Sequence, residues 1–299
     1  MKKTKKNEPV RIAVIGGSGI YEIDGIEDVR EVRVKTPFGD PSDAIVTGTL
    51  GGVRCAFLPR HARGHRISPS EINVRANMYA LKSLGVEQII ALTACGSLKE
   101  EVRPKDFVIP DQLYDRTKCR PSTFFGGGIV VHVGMASPFC GGMREIMKRG
   151  VEELGISHHY GGTYVCIEGP QFSTKAESEV NRHHGFSVVG MTAVPEAKLA
   201  REAEMCYASV NLVTDYDVWK EGEEVGVEAV VSYMKANTAN SKKFIKHVLP
   251  LLARRERACG CKSALQHAVM TSIDKRSMKA YKKVEFLLGK YVKPPKDSR

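Results

Sequence analysis

The apolar residues of this chain gather into short runs, and between many of those runs lies a longer stretch carrying a helical stripe. Arg11–Ile15, Val29–Val34, Ala44–Leu50 and Val53–Leu58 read as strands, since β-branched and apolar residues persist for strand length. Gly51-Gly52 joins the last two as a two-residue hairpin turn. A helix is predicted from Ser70, as its N-cap, to Leu84, with Gly85 as the stop. Gln88–Thr93 and Asp106–Ile109 are further strands, and Ser137-Pro138 opens a helix that runs to Leu154. Tyr164–Ile167 is another strand. Pro195–Met205 reads as a helix with proline in its first turn, where the missing N–H costs nothing. Tyr207–Val213 follows as a buried strand, then a long helix over Val225–Leu252 and an amphipathic helical pattern over 262–289. There is no internal repeat and no linker rich in Pro, Gly or Ser. The alternation predicts one α/β domain over 11–289 on a mainly parallel central sheet, between basic tails at 1–10 and 290–299.

The candidate chemistry sits where the strands stop. Arg11–Ile15 runs into Gly16-Gly17-Ser18-Gly19, a turn whose amides can close around an anion. A dinucleotide fingerprint would need a third glycine where Glu22 stands, so Ser18 reads better as a donor to a small oxyanion. Leu58 gives way to the cationic cluster Pro59–Arg66, in which Arg60 is a fork donor suited to phosphate; a solvated loop is the alternative. Gln88–Thr93 ends in Thr93-Ala94-Cys95-Gly96-Ser97. Three strand ends thus offer anion donors, which points to a crevice that handles phosphate. Glu168 and Phe172 leave a fourth strand, where they suggest a sugar-binding carboxylate and a stacking ring; a cap and a core residue are the plainer readings. Asp215-Tyr216-Asp217 closes a fifth. Paired carboxylates there occupy the ligand crevice of an open α/β sheet, although Asp also caps helices and makes turns.

Charge changes this picture little. The net charge is +11, but residues 1–10 hold four Lys and one Glu and residues 262–299 hold ten Lys or Arg and three acids, so the body is nearly neutral. Basic ends are usually solvated, which argues against a nucleic-acid-binding module. No apolar run reaches the roughly 18 residues of a membrane span, and the start lacks a secretory pattern, so a cytoplasmic enzyme is expected. The eight cysteines show no CxxC pairing, so spacing predicts no zinc site. Cys259-Gly260-Cys261 reads as two loop thiols, with a redox pair or strained disulfide as alternatives. His158-His159 and His183-His184 read as surface or helix-end residues.

Seven stretches, IGGSGIY, TPFGDPSD, RHARGH, TACGSL, IEGPQFSTKAE, GMTAVPEA and TDYDVWKE, occur in an order and spacing that resembles the trimeric purine nucleoside phosphorylase family, specifically its methylthioadenosine phosphorylase branch. The resemblance covers about residues 11–240 and implies a twisted sheet flanked by helices, a homotrimer, and no metal or organic cofactor. It implies that Ser18, Arg60, His61, Thr93, Ala94 and Thr192 hold phosphate, that Met191 contacts ribose with Glu168-Gly169 nearby, and that Phe172 lies against the base. Asp215, Tyr216 and Asp217 would meet the purine, with Asp215 as the catalytic acid; Val227 and Val230 would line the pocket for the 5′ substituent, with Ser173 and Val227 as specificity positions. The oxopurine branch has Asn where this chain has Asp215, so a 6-aminopurine is expected. The implied reaction is phosphorolysis of S-methyl-5′-thioadenosine, with adenosine as a secondary substrate. Rival readings are a 6-oxopurine or methylthioinosine phosphorylase and, outside the family, a nucleotide-cofactor oxidoreductase.

Overall fold

Strand β1 (Ile12–Gly16) has every residue buried, so its alternate side chains must be covered on both sides. The computed structural model, which describes residues 9–17, 24–222, 227–272 and 275–295, shows what covers them; side chains are described outside 227–232 and 234–236. Ala13 and Ile15 belong to one apolar cluster, with Met78, Leu199 and Leu288. Ile12 and Val14 belong to another, with Met143, Phe244 and Leu249. The sheet therefore lies between two helical layers, one built from α1 (Val74–Ser83), α4 (Ala193–Glu202) and α6 (Met278–Leu288), the other from α2 (Gly141–Glu153) and α5 (Val227–Ala253).

The remaining strands are β2 (Glu27–Val32), β3 (Ile45–Leu50), β4 (Val53–Pro59), β5 (Gln88–Ser97), β6 (Phe107–Ile109), β7 (Gln112–Arg116), β8 (His158–Tyr160), β9 (Thr163–Ile167), β10 (Val188–Gly190) and β11 (Cys206–Asp215). Helix α3 spans Lys175–His183 and opens with a complete capping box between Thr174 and Glu177. Among the described residues the strands form one eleven-stranded sheet in the order β2-β3-β4-β1-β5-β10-β9-β7, with β11, β6 and β8 branching from β5. The pairings β1–β4, β1–β5, β5–β11, β9–β10, β7–β9 and β6–β8 are parallel, so the expected mainly parallel α/β sheet is what the chain forms. Strand β5 changes partners along its length. On one side Gln88–Ala91 pair in parallel with β1 and Gly96 and Ser97 pair antiparallel with β10, while on the other β11 runs parallel along Gln88–Gly96. A register shift between Val213 and Asp215 sets Asp215 opposite Gly96.

Several element ends differ from the sequence expectation. Helix α1 starts at Val74 behind an Asn73 cap, because the Ser70 hydroxyl is spent on Glu168. Helix α2 starts after Cys140, and in place of one helix over 262–289 the chain forms a 3-10 turn at Gly260–Ser263 and α6. His158 and His159 lie in β8, where His159 meets Asp106 at 3.0 Å; His183 and His184 do end a helix. The basic C-terminal stretch begins as packed chain, with Lys290 and Tyr291 on Glu204 and Val292 buried. No described helix is long and apolar enough to cross a membrane.

Candidate active site

The C-terminal ends of β4, β5, β9, β10 and β11 open into one cavity of about 720 Å³. Arg60, His61, Thr93, Ala94, Phe172, Ser173, Met191, Thr192, Asp215 and Asp217 line it, together with Gly17. These residues come from six separate stretches of sequence, and the sheet brings them to one place. Ser18 and the side chains of Val227 and Val230 lie outside the described residues.

At one end stands Arg60, only 2% exposed. Its Nε and Nη2 donate to the two carboxylate oxygens of Glu196, at 2.8 and 3.1 Å, and Nη1 donates to the Leu92 carbonyl at 2.7 Å. The Tyr207 hydroxyl donates to the same carboxylate at 2.8 Å. A guanidinium carries five N–H groups, so those three bonds leave two donors for a ligand while fixing the plane of the fork. Burial opposes the Arg60 charge, but the Glu196 carboxylate more than compensates and holds it charged. Beside it, His61 Nδ1 lies 2.9 Å from the Ile67 carbonyl. A carbonyl only accepts, so Nδ1 carries the proton and Nε2 is free to accept. Burial, helped by the Arg60 charge, pushes the His61 imidazole down to about 4, so it is neutral near pH 7. Thr93 and Thr192 share a hydroxyl hydrogen bond of 2.8 Å, and Thr192 is the N-cap of α4 without a side-chain capping bond. The result is one cation with two hydroxyls and an imidazole acceptor beside it, suited to an oxyanion that still carries a proton.

At the other end stand the two carboxylates. Asp215 Oδ2 accepts from the Thr214 hydroxyl at 2.6 Å and Oδ1 from the Asp217 amide at 2.8 Å. Burial raises the Asp215 carboxyl above its ordinary value; the two hydrogen bonds oppose that and the Asp217 charge adds to it. Asp217 is raised as well, chiefly by burial, with the neighbouring Ser178 and Ser173 hydroxyls pulling it back. Asp217 Oδ2 and those two hydroxyl oxygens are buried, yet none completes a hydrogen bond of good geometry. That leaves polar capacity for a ligand. Gly96 makes room for the pair: a Cβ there would fall 2.7 Å from Asp215 Oδ1 and 3.3 Å from Asp217 Cβ. Leu92, which binds Arg60, and Gly96 are four residues apart on β5, so the cation and the carboxylates are separated by about 13 Å of strand. Phe172 is 48% exposed on the cavity wall, an apolar face open to a planar ligand.

Two expected contacts are corrected. Tyr216 does not line the cavity; it is buried against Trp219, ring centroids 5.5 Å apart. Strand β11 ends here in a turn: Asp217 has a left-handed backbone (φ 52°) and its amide donates to Asp215 Oδ1, which brings both carboxylates to the cavity without Tyr216. Glu168 does not offer its carboxylate to the cavity either. It accepts from the Ser70 hydroxyl at 2.6 Å, Arg120 Nε at 3.0 Å and the Lys118 amide at 2.5 Å. These bonds outweigh burial and hold it down at about 2. Arg120, unnoticed in the sequence, also donates to the carbonyls of Met191 and Val194 and so clamps the turn that presents Met191 and Thr192. Glu196, Tyr207, Thr238 and Ser241 were likewise hidden inside predicted elements.

Comparison with known proteins agrees with this arrangement. Residues 11–250 match the family model of the phosphorylase superfamily. The S-methyl-5′-thioadenosine phosphorylase of Koribacter versatilis strain Ellin345 is 52% identical, over 94% of this chain and 96% of that one. A solved methylthioadenosine phosphorylase from an Antarctic soil metagenomic library superposes with a TM-score of 0.90 at 45% identity, covering 94% and 99% of the two chains. The methylthioadenosine phosphorylase of Schistosoma mansoni, solved with adenine, gives 0.81 at 38% identity over 85% and 96%. By the extent of the family match and the closeness of these relatives, the chain belongs to the phosphorylase superfamily.

Proposed function

We propose that the protein cleaves S-methyl-5′-thioadenosine with phosphate, giving adenine and 5-methylthioribose 1-phosphate. The observation that carries this is a single cavity with a buried, charge-neutralised arginine at one end and a buried pair of carboxyls at the other. Relatives about half identical over nearly their whole length bear the name of this activity. Phosphate is held by Arg60, His61, Thr93, Ala94 and Thr192, with Ser18 completing the shell. One of its oxygens attacks the anomeric carbon as the bond to purine N9 breaks and its electron pair moves into the base. Asp215, whose carboxyl burial pushes toward the neutral acid, gives a proton to N7 and regains one from solvent. A positioned acid of this kind contributes roughly 10²–10⁴ in rate. Asp217 and the carbonyl oxygen of Asp215 accept from the 6-amino group, Phe172 stacks on the base and Met191 meets the ribose. Ser173 and Val227 tune specificity, and Val227 and Val230 face the methylthio group. Apolar pockets discriminate only about 10²-fold, so adenosine is a slower substrate. No organic cofactor or metal takes part in the chemistry. The protein works as a homotrimer in cytoplasmic purine salvage, each 5′ pocket completed by a neighbour.

The test is to incubate the protein with phosphate and either methylthioadenosine or inosine. Phosphate-dependent release of adenine is expected, with inosine much slower. Faster turnover of inosine would replace this reading with the 6-oxopurine activity. Light scattering should give a mass of three chains.

A further inference from the structure

Far from that cavity, four thiols come together. Cys140, Cys206, Cys259 and Cys261 place their sulfurs all within 4.8 Å of one another, although spacing gave no sign of it. They come from three segments: the N-cap of α2, the first residue of β11, and the chain after α5. We propose that these four cysteines bind one zinc ion in a closed, tetrahedral, structural site.

Four considerations support the assignment. The first is size. With Zn–S bonds of about 2.3 Å, the edges of a tetrahedral thiolate cage are about 3.8 Å. Cys140 and Cys259 are 3.7 Å apart and Cys206 and Cys259 are 3.4 Å apart, so small shifts complete the cage. The second is donor chemistry, since four soft sulfurs with no carboxylate or imidazole among them select zinc over harder ions. The third is charge. Zinc with four thiolates carries a net charge of −2, and Arg255 is already turned toward it. Its Nη2 lies 3.3 Å from Cys140 Sγ and 3.5 Å from Cys259 Sγ, and Nη1 lies 3.8 Å from Cys206 Sγ. Donors from outside the cage orient the ligands and offset that charge. Gly142 leaves the guanidinium its space, since a Cβ there would fall 2.6 Å from Nη2. The fourth is enclosure: Cys140, Cys206 and Cys261 are buried and Cys259 half-buried, so all four positions of the metal are filled by protein. Binding releases the remaining thiol protons to solvent and changes no oxidation state.

Cys206 and Asp215 stand at opposite ends of β11, about 30 Å apart at the usual strand rise, so the metal takes no part in catalysis. It fastens the chain after α5 to the base of the sheet. The test uses the full-length protein purified under reducing conditions without chelator. Elemental analysis should find about one zinc per chain. Cobalt(II) added to metal-free protein should give the thiolate charge-transfer and visible bands of a tetrahedral sulfur site. Cys206→Ser and Cys261→Ser should each lower bound zinc about tenfold or more. Removing zinc should lower the unfolding temperature and leave turnover unchanged in the surviving folded protein. Should the variants fail to fold, the metal content and cobalt spectrum of the unaltered chain decide. Reduced protein with no zinc and no cobalt spectrum would overturn the proposal. So would a native mass showing two disulfides among these cysteines, with no metal taken up after reduction.

Discussion

The buried pair of Arg60 and Glu196 allows stability and phosphate binding to be separated by substitution. Glu196→Gln keeps the shape and an acceptor for Tyr207 but removes the charge that compensates a guanidinium 2% exposed. Breaking a buried ion pair from one side costs about 3–5 kcal/mol, and two charge-assisted hydrogen bonds of 2.8 and 3.1 Å place this pair in that range. Arg60→Met should cost a similar amount by leaving the carboxylate without its cation. With both charges gone, Arg60→Met/Glu196→Gln should lose about 3 kcal/mol less than the sum of the single losses. Phosphate use should follow a different order. Both variants lacking Arg60 should show a phosphate KM raised by about tenfold or more, as expected on losing a charged hydrogen bond of 1.5–3 kcal/mol. The stability recovered in the double variant should leave that KM high. Urea unfolding at one fixed protein concentration, without phosphate, reads the first quantity, and initial rates over a range of phosphate read the second. Additive stability losses in the double variant, or recovery of the phosphate KM, would refute the reasoning.

Three further outcomes are expected. Asp215→Asn should lower turnover of methylthioadenosine at least about a hundredfold. The unaltered protein should lose turnover as pH rises through the elevated Asp215 value and that limb should vanish in the Asn variant; an unchanged rate would remove Asp215 from the mechanism. Gly96→Ala should cost about 1–3 kcal/mol and lower kcat/KM, because its Cβ would stand 2.7 Å from Asp215 Oδ1, and thermal unfolding with steady-state rates checks both. Glu202, buried in α4, has its carboxyl raised from 4.5 to about 7 by burial, against bonds from Phe124 N–H and the Thr123 hydroxyl. Its folded value lies above its unfolded one, so between about 4.5 and 7 the native state binds more protons and rising pH destabilises it, by about 3 kcal/mol across the window. Urea unfolding of Glu202→Gln at several pH values should show that component of the slope gone.

The strand ends were legible because each apolar run stops in small or charged residues, a local signal that survives without tertiary information. Arg60, Thr93 and Asp215 were found in that way. Glu196 and Tyr207 were not, because inside a helix and a strand they read as ordinary members of those elements, and only the fold sets them against Arg60. Tyr216 was misplaced among the ligand contacts because the turn that follows Asp215, with Asp217 in the left-handed region, is not legible from the residue types. Glu168 was misjudged because its partners lie about 50 and 100 residues away, at Arg120 and Ser70. The cysteine cluster escaped for the same reason, its members spread over three segments where spacing rules look within one.

The change of partners along β5 carries a consequence for how the protein is made. The strand leaves the ribosome early, but the neighbours that complete it, β10 and β11, are among the last strands synthesised. Until they emerge, an apolar ribbon from Ile89 to Leu92 has an unclaimed edge, the kind of surface that attracts other nascent chains. Competence to turn over substrate and protection from aggregation are thus acquired together, late in translation.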